Sequence, residues 1–267
     1  MAQLHYRPHA IIVAAGRGSR LNDLTRACPK CLLEVNGKTL LQHQLDGYAE
    51  QGIREITIVR GYLAERIQVD GARYCYNAEY ATTNTLVSLL TAAHEMSDAF
   101  IISYSDIIFE AQVISKLCDS EEDIAIVVDT RWLARYSNRD QHPVEEAEKV
   151  VFDADGRVVA IGKTIDANLE STAEFVGMVK CTARGAGMFK SSLLKARKRF
   201  HGPVFVNGRT FEQAYLSDFI QHLVHTGIAV RVVPIRQGWF EIDTPQDLDV
   251  AREHFKKDCT FEQLATP

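Results

Sequence analysis

The chain has 267 residues, of which 46% are hydrophobic and 24% are charged. This composition is typical of a globular protein with a sizeable core and excludes a disordered chain. The net charge of −5 opposes binding to nucleic acids and to anionic membranes, so an anionic ligand would need a local positive site. The longest apolar runs are strand-sized and no signal peptide is recognisable. We therefore expect a cytoplasmic protein with no nucleic-acid or membrane partner.

Strand-like and helix-like segments alternate through the first half of the chain. Apolar runs predict strands, and apolar residues at helical spacing predict the helices between them. This alternation predicts an α/β fold, with a mostly parallel, Rossmann-like sheet, helices on both faces and ligand chemistry at the carboxyl ends of the strands. The predicted strands are 9–14, 55–59, 72–76 and 99–104, and the predicted helices are 39–51, 62–67 and 84–96.

The second half of the chain is less regular. An Asp-Gly pair at 155–156 lies between two alternating runs and predicts a β-hairpin. Thr244 is the expected N-cap of a last helix that has Pro245 at its first position. No repeat or linker is found, so a single domain with a β-rich substrate portion is expected. The predicted strands are 124–128, 148–152, 158–161, 175–179 and 229–233, and the predicted helices are 186–199, 211–225 and 245–255.

Six cysteines are too few for a disulfide scaffold in a chain of this length. Cys28 and Cys31 form a CxxC pair, which is typical of a redox dithiol or of half a zinc site. No second CxxC or suitably spaced Cys/His pair completes a zinc site. A redox or metal role for this pair is therefore the less favoured hypothesis.

The first predicted strand leads into a glycine-rich turn, residues 15–20, that carries two arginines. Glycine lets backbone N–H groups approach an anion closely, and arginine adds charge-assisted contacts, so the turn suits a phosphate. A dinucleotide-binding fingerprint would need a third glycine where Leu21 stands. A Walker A loop would need one at Leu32. Taken alone, the turn leaves a phosphate site and a simple strand-to-loop connection equally open.

The sequence AAGRGSRLNDLTRACPKCLLEVNGKTLL, from Ala14 to Leu41, resembles the nucleotidyltransferases that make NDP-sugars, CDP-choline and related activated head groups. The shared pattern is small-small-Gly-x-Gly-[Ser/Thr]-Arg, then Leu-Thr, then Pro-Lys-x-Leu. Asp23 and Thr39 replace prolines of the family at positions that carry no chemistry. The resemblance implies that Lys30 and Arg20 are catalytic, and that the first part of the nucleotide site consists of Ala14, Ala15, Gly16, Arg17, Gly18 and Ser19.

The resemblance extends to two aspartates later in the chain. Asp106 ends the strand segment Ser103-Tyr104-Ser105-Asp106, and Asp243 lies within Gly238-Trp-Phe-Glu-Ile-Asp-Thr-Pro245. In the family, aspartates in these segments bind the metal ion, so the resemblance implies an Mg²⁺ site. Carboxylate oxygens are ligands that Mg²⁺ prefers. Without the resemblance, each aspartate would be interpreted as a helix cap or a turn residue.

The segment ATTNTLVSL, residues 81–89, resembles the compact branch that activates phosphocholine or small phosphonates with CTP. In this interpretation residues 1–267 form one nucleotidyltransferase domain. Its parts are a nucleotide-binding half at about 9–130, an acceptor-binding half at about 131–245 and a C-terminal helix and tail at 246–267. Further nucleotide contacts are expected from Tyr80, Thr82, Thr83 and Asn84.

Candidate acceptor contacts come from the second half. Trp132 or Tyr136 could hold a cationic head group by cation–π attraction, although their helical spacing equally suits a core-facing pair. Lys149 and Lys163 are alternatives for binding the acceptor phosphate, and Glu174 is a further acceptor contact. A primary ammonium could pair with Asp140, Glu145 or Glu146. The acidic run of Glu145, Glu146 and Glu148 is more typical of a solvated face.

These features predict an Mg²⁺-dependent cytidylyltransferase that transfers CMP from CTP to a small phosphonate or phosphate ester and releases pyrophosphate. The expected acceptors are 2-aminoethylphosphonate, 2-hydroxyethylphosphonate or phosphocholine. A phosphonate is favoured because EAEKVV, residues 146–151, looks more like that subgroup. The acceptor is already an anion, so no general base is required, and the nine histidines need no role.

Two alternatives remain open. A sugar-1-phosphate acceptor is the second hypothesis. A nucleotide-sensing regulatory protein that has lost catalysis is the third, although retention of Lys30, Asp106 and Asp243 argues against it. Homo-oligomerisation is also left open.

Overall fold

The computed structural model describes residues 8–137, 139–167, 172–200 and 202–256. The tail after Lys256, predicted to follow the last helix, lies outside these residues. The strands are β1 (His9–Ala14), β2 (Glu34–Val35), β3 (Lys38–Thr39), β4 (Ile56–Arg60), β5 (Arg73–Tyr76), β6 (Phe100–Tyr104), β7 (Ile107–Phe109), β8 (Ile124–Asp129), β9 (Lys149–Phe152), β10 (Val158–Gly162), β11 (Thr172–Cys181), β12 (Val204–Val206), β13 (Arg209–Thr210), β14 (Arg231–Ile235) and β15 (Trp239–Glu241). The α-helices are α1 (Leu40–Glu50), α2 (Thr85–Thr91), α3 (Ala111–Asp119), α4 (Ala183–Arg199), α5 (Leu216–His225) and α6 (Pro245–Lys256).

A mixed sheet of nine strands, counted over the described residues, lies at the centre of the fold. β1 is parallel to its neighbours β4 and β6, and β5 continues the parallel part beyond β4. The long strand β11 is antiparallel to β6 and also pairs with β8 and β9, whose partners β14 and β10 complete the sheet. The predicted α/β class is therefore confirmed, with a parallel core in the first half of the chain and an antiparallel, β-rich portion in the second.

Helices cover both faces of this sheet, as the apolar β1 strand requires. Ile11 and Val13 point to one face, where they belong to the same apolar cluster as residues of α2, α4 and α5. Ile12 points to the other face and shares a cluster with residues of α1 and α3. A strand buried on both sides reads as a continuous apolar run rather than an alternating one. No helix in the described part of the chain is long and apolar enough to cross a membrane.

The predicted Asp-Gly hairpin is confirmed, because β9 and β10 pair antiparallel. The carboxylate of Asp153 accepts hydrogen bonds from the backbone N–H groups of Asp155 and Arg157, at 3.0 and 2.9 Å. Gly156 has a φ of +77°, a conformation that favours glycine. The hairpin therefore follows from local turn chemistry.

The structure differs from the predicted elements in several segments. The predicted helix 62–67 is only a 3₁₀ turn at Ala64–Arg66. The predicted helix 84–96 ends at Thr91 and continues only as a short 3₁₀ turn. The predicted helix 211–225 begins only at Leu216, because the carboxylate of Asp218 accepts a hydrogen bond from the backbone N–H of Tyr215 at 2.9 Å and fixes the helix start there. In addition, β7, α3 and β15 were not predicted.

The short strands β2, β3, β12 and β13 were not predicted either. Among the unpredicted strands, β7 and β15 have a specific effect on the geometry of the chain. β7 and β15 pair antiparallel and form a two-stranded ribbon outside the main sheet. The backbone N–H of Ile242 then donates to the carbonyl of Asp106 at 2.9 Å. This ribbon holds Asp106 and Asp243 side by side, although they are far apart in the sequence.

Candidate active site

A cleft of about 290 Å³ opens where β1 and β6 end and lies between the parallel strands and the β-rich portion. Most of the residues predicted to form a site line this cleft. Arg17, Thr82, Trp132, Tyr136 and Lys149 do not. The predicted residues that do line it are Ala14, Ala15, Gly16, Gly18, Ser19, Arg20, Lys30, Tyr80, Thr83, Asn84, Asp106, Lys163, Glu174 and Asp243.

Lys30 lies at the centre of the cleft floor. Its Nζ donates to Oδ2 of Asp106 at 2.8 Å and also contacts Oδ1 of Asp243. Burial alone would lower the pKa of Lys30, but the two carboxylates raise it above its ordinary value. The lysine is therefore a fixed positive charge on the cleft floor.

The two aspartates next to Lys30 have different electrostatic environments. Burial raises the pKa of Asp106, although Lys30 opposes this effect. Burial also acts to raise the pKa of Asp243, but Lys30 and Arg20 together hold that pKa well below its usual range. Arg20 lies 3.0 Å from Oδ2 of Asp243, with about half of its side chain exposed at the cleft edge. Asp243 is consequently the more strongly ionised of the pair.

The backbone of Gly18 brings the glycine-rich turn close to Lys30. Gly18 has a φ of +66°, and a Cβ at this position would lie 3.0 Å from Cβ and Cδ of Lys30. The side chain of Thr25 donates to the carbonyl of Gly18 at 3.0 Å and fixes the turn. Glycine is therefore required here both for the backbone conformation and for the approach of the lysine.

We expect Gly18→Ala to reduce turnover about 10-fold or more, because it displaces Lys30 from its position between the carboxylates. Gly37→Ala is the matched control. Gly37 has a similar φ of +73°, and no atom lies within 4 Å of a Cβ there. Both variants should lose about 1 kcal/mol of stability in urea unfolding, but only Gly18→Ala should lose activity. Equal activities for the two variants would show that Gly18 is not needed to position Lys30.

One wall of the cleft is held by a buried residue that was not predicted. The amide of Asn77 donates to Thr83 Oγ1 at 3.1 Å and to Ser88 Oγ at 2.9 Å, so it ties the 77–84 loop to α2. Asn84 caps α2 by accepting a hydrogen bond from the backbone N–H of Thr85 at 2.8 Å. Thr82 is exposed and donates to a backbone carbonyl of its own turn. The loop is thus rigidly placed, with Thr83 and Asn84 facing the cleft.

The structure separates the two candidate acceptor lysines. Lys149 is only 2% exposed, and its Nζ donates to the carbonyls of Val144 and Glu145 at 3.4 and 3.3 Å. Lys163 lines the cleft, where its Nζ donates to Glu146 at 2.8 Å. The expectation that Lys149 contacts the acceptor is corrected, because its ammonium group is directed to backbone carbonyls rather than to the cleft.

The aromatic pair predicted to hold a head group is also placed elsewhere. Trp132 is 1% exposed, and its indole N–H donates to the carbonyl of Thr172 at 3.3 Å. Its ring packs edge to face against Tyr136, whose hydroxyl donates to Glu174. The pair is the core-facing alternative. Tyr136 contacts two residues that line the cleft, Glu174 through its hydroxyl and His142 through its ring, and Glu174 also pairs with Arg135 at 2.7 Å.

Glu148 lines the cleft, which corrects the expectation that the acidic run is a solvated face. Its carboxylate accepts hydrogen bonds from the hydroxyls of Tyr104, at 3.2 Å, and Ser217. Burial raises the pKa of Glu148 to about 7. A sequence signal exists for this position. Glu148 immediately precedes β9, and its two neighbours, Ala147 and Lys149, are buried on the other face of the extended segment.

A buried histidine, His142, also lines the cleft. Nδ1 of His142 lies 3.4 Å from Oδ2 of Asp243. Burial lowers the pKa of His142, so the neutral imidazole is favoured. Ligand atoms of His142, Glu241 and Asp243 all lie within 4.8 Å of one another. No local sequence pattern marks His142, because its partners come from the other end of the chain.

The carboxylates of the cleft fit a divalent cation. Oδ2 of Asp106 and Oδ1 of Asp243 converge on the Nζ of Lys30. Oδ1 of Asp106 is buried and has no hydrogen-bond partner among the described residues. Buried polar atoms are normally satisfied, and carboxylate oxygens are the ligands that Mg²⁺ prefers. The donor atoms present are therefore compatible with the metal that the sequence predicts.

Cys28 and Cys31 are free thiols rather than a disulfide. Burial raises the pKa of Cys31 to about 12, so its reactive thiolate form is scarce at neutral pH. This environment does not suit a redox dithiol.

A glycine-rich turn facing two carboxylates across a buried lysine is an arrangement suited to nucleotidyl transfer, and comparison with known proteins agrees. Residues 10–168 match the MobA-like NTP transferase domain, so the chain belongs to this family of nucleotidyltransferases. The predicted family is thereby confirmed.

Similar proteins include several cytidylyltransferases. The chain is 31% identical to a CTP:phosphoglutamine cytidylyltransferase of Campylobacter jejuni, over 92% of this chain and 99% of the relative. It is 31% identical to a 2-aminoethylphosphonate cytidylyltransferase of Lancefieldella rimae, over 40% of this chain and 46% of that protein. The solved structure of the CTP:phosphocholine cytidylyltransferase of Streptococcus pneumoniae has the same fold, with a TM-score of 0.66, 24% identity, and coverage of 93% of this chain and 99% of that one.

Proposed function

We propose that the protein transfers CMP from CTP to a small acceptor that carries a phosphate or phosphonate group and an ammonium group. The choice of CTP is supported by the names of the relatives, all three of which are cytidylyltransferases. The choice of a zwitterionic acceptor is carried by one observation. Lys163 and the carboxylate of Glu148 face the same cleft, and Glu148 has no salt-bridge partner among the described residues.

The cleft divides between the two substrates in this proposal. The glycine-rich turn and the 80–84 loop, both within residues 9–130, bind the nucleotide. The β-rich portion, within residues 131–245, binds the acceptor through Lys163. Lys163 is a suitable anion site because it lines the cleft and, among the described residues, its one salt-bridge partner is the exposed carboxylate of Glu146, which a phosphate can replace.

In the reaction, an oxygen of the acceptor attacks the α-phosphorus of CTP, the new O–P bond forms, and the bond to the β-phosphate oxygen breaks to release pyrophosphate. The attacking oxygen is already an anion, so no side chain needs to remove a proton. Lys30 and Arg20 stabilise the negative charge that moves onto the leaving pyrophosphate. When bound by Asp106 and Asp243, Mg²⁺ would supply further neutralisation of the triphosphate.

The acceptor wall is the side of the cleft formed by the β-rich portion. Its charges favour an ammonium group over a sugar hydroxyl. Three carboxylates, those of Glu146, Glu148 and Glu174, line this side of the cleft. Arg135 pairs with Glu174, and Lys163 pairs with Glu146 until the acceptor phosphate replaces it. Glu148 has no salt-bridge partner among the described residues in either case, so it is a carboxylate that a cationic ligand can neutralise. A sugar phosphate brings negative charge without a compensating cation. The wall therefore favours 2-aminoethylphosphonate over both 2-hydroxyethylphosphonate and glucose-1-phosphate.

A matrix of nucleotides and acceptors tests the proposal. CTP, UTP, ATP and GTP are each combined with 2-aminoethylphosphonate, 2-hydroxyethylphosphonate, phosphocholine, phosphoglutamine and glucose-1-phosphate, and pyrophosphate release is measured. We expect turnover with CTP and the ammonium-bearing acceptors. Turnover restricted to glucose-1-phosphate would establish the sugar-phosphate alternative. Nucleotide binding without turnover of any pair would support a regulatory protein.

We expect Glu148→Gln to raise the KM for 2-aminoethylphosphonate about 10- to 100-fold, because a charge-assisted hydrogen bond to the ammonium is lost. The wild-type pKa of about 7 adds a pH signature. The carboxylate forms as the pH rises through this value, so the wild-type KM should fall between pH 6 and about pH 8. Glu148→Gln should retain only the change due to ionisation of the acceptor itself. Glu145→Gln, at an exposed position outside the cleft, is the control. Parallel KM profiles for all three proteins would exclude Glu148 from acceptor binding.

A further inference from the structure

His142 is a buried group that the proposed mechanism does not use. It is 2% exposed and lies in the lining of the cleft. Its Nδ1 atom has no hydrogen-bond partner among the described residues, although it lies 3.4 Å from Oδ2 of Asp243. A buried imidazole nitrogen without a partner is costly unless it binds a ligand. His142 is also the only described histidine that lines the cleft.

The position of this imidazole is fixed by contacts on both sides. Arg139, three residues earlier, donates to Asp247 at 2.6 Å and to Oε2 of Glu241 at 3.0 Å. The backbone N–H of Gln141 donates to the side chain of Gln246 at 3.1 Å. These contacts dock the 139–142 segment onto the start of α6, next to Asp243. The ring is therefore held against the carboxylate by the contacts of the segment that carries it.

We propose that Nδ1 of His142 is a ligand of a divalent cation, together with the carboxylates of Asp243 and Glu241, at a position distinct from the site that Asp106 and Asp243 form. One ligand atom from each of the three residues lies within 4.8 Å of the other two. Metal–ligand distances of about 2.0–2.2 Å place ligand atoms on opposite sides of an ion about 4 Å apart, so small side-chain shifts suffice. The cation would lie on the Oδ2 side of Asp243, and Lys30 contacts Oδ1.

The positive groups around this position are compatible with a metal ion. Arg20 contacts Oδ2 of Asp243 at 3.0 Å, but about half of its side chain is exposed, so it is free to turn toward the triphosphate. Arg139 is occupied by Glu241 and Asp247, and it contacts only Oε2 of Glu241. The other oxygen of Glu241 is left for the metal.

A nitrogen ligand changes which metals the site prefers. Mg²⁺ prefers oxygen ligands, whereas imidazole favours Mn²⁺, Co²⁺ and Zn²⁺ relative to Mg²⁺. The oxygen-only pair Asp106 and Asp243 would give a weaker preference. The protein should therefore bind Mn²⁺ more tightly than Mg²⁺, and the preference should depend on His142.

Pulsed electron paramagnetic resonance of bound Mn²⁺ tests the assignment without measuring activity. The wild-type protein is loaded with MnCl₂, alone and with CTP, and the nitrogen modulation is recorded for unlabelled protein and for protein labelled with ¹⁵N-histidine. We expect a ¹⁴N signal that becomes a ¹⁵N signal on labelling. His142→Leu should abolish the signal and weaken Mn²⁺ binding at least about 10-fold in calorimetry, with a smaller effect on Mg²⁺. His225→Gln, at an exposed position on α5, should change neither.

The labelling experiment decides the question even if His142→Leu does not fold. Absence of histidine modulation in wild-type protein with Mn²⁺ bound would overturn the proposal, as would a signal that persists in folded His142→Leu. Because this readout does not depend on the acceptor, it is independent of the substrate matrix that tests the proposed function.

Discussion

Replacing Lys30 with methionine should lower kcat for pyrophosphate release about 10²- to 10³-fold. Methionine keeps most of the side-chain volume but removes the fixed charge that faces the triphosphate. A preorganised charge in a partly dry site needs no reorganisation during the reaction, so its removal raises the barrier directly. The KM for the acceptor should change less, because the acceptor contacts proposed for Lys163 and Glu148 remain.

The same variant should be less stable by about 3 kcal/mol, because Asp106 and Asp243 would face each other without a buried cation between them. Urea unfolding measures this loss. Lys38→Met is the matched control, since Lys38 pairs with Asp46 at 2.7 Å on the surface and both side chains are substantially exposed. It should alter neither activity nor stability appreciably. Normal turnover in folded Lys30→Met would show that Lys30 has no catalytic role.

Asp106→Asn and Asp243→Asn should each reduce turnover by about two orders of magnitude or more, because each removes a carboxylate proposed to bind the metal. Their stabilities should differ. The pKa of Asp243 is held well below its usual range, so its ionised form stabilises the folded state at neutral pH. Asp243→Asn should therefore cost about 3 kcal/mol. The pKa of Asp106 is raised, so its charge opposes folding, and Asp106→Asn should be neutral or stabilising.

The stability of the wild type should change with pH accordingly. The contribution of Asp243 is present above the ordinary aspartate pKa and is lost as the pH falls from there through the lowered pKa of the folded state, whereas Asp243→Asn should not show this loss. Asp46→Asn, which breaks only the surface pair with Lys38, is the activity control. Full activity in either active-site variant would exclude that residue from metal binding. Equal stability losses for both would contradict the proposed difference in charge.

The part of the site that could be predicted from the sequence is the part encoded in short motifs. The glycine-rich turn, Lys30, Asp106 and Asp243 each lie in a segment whose residue types and spacing are specific. The choice between Lys149 and Lys163 could not be made in this way, because both flank predicted strands and only packing decides which one faces the cleft. Trp132 shows the same difficulty, since helical spacing is identical for a core residue and a ligand contact.

The fold was predictable wherever one element carries its own pattern. β1 and the β9–β10 hairpin are examples. α3 also carries such a pattern, because Val113, Ile114 and Leu117 have the spacing of one helix face. β7 and β15 have only three residues each and are defined by pairing with each other rather than by local pattern. His142 depends on the same kind of distant contact, through Arg139 and α6, and no local signal could identify it.

The β7–β15 ribbon affects the order in which the sheet and the active site form during folding. Closing a contact between segments this far apart in the chain costs somewhat more loop entropy than the pairings within the parallel core. The core can therefore form while Asp106 still lacks its neighbour Asp243. Metal binding and charge neutralisation at the cleft then depend on a late, long-range step of folding. A partly folded chain would contain the parallel sheet but would lack the adjacent aspartates that the proposed reaction needs.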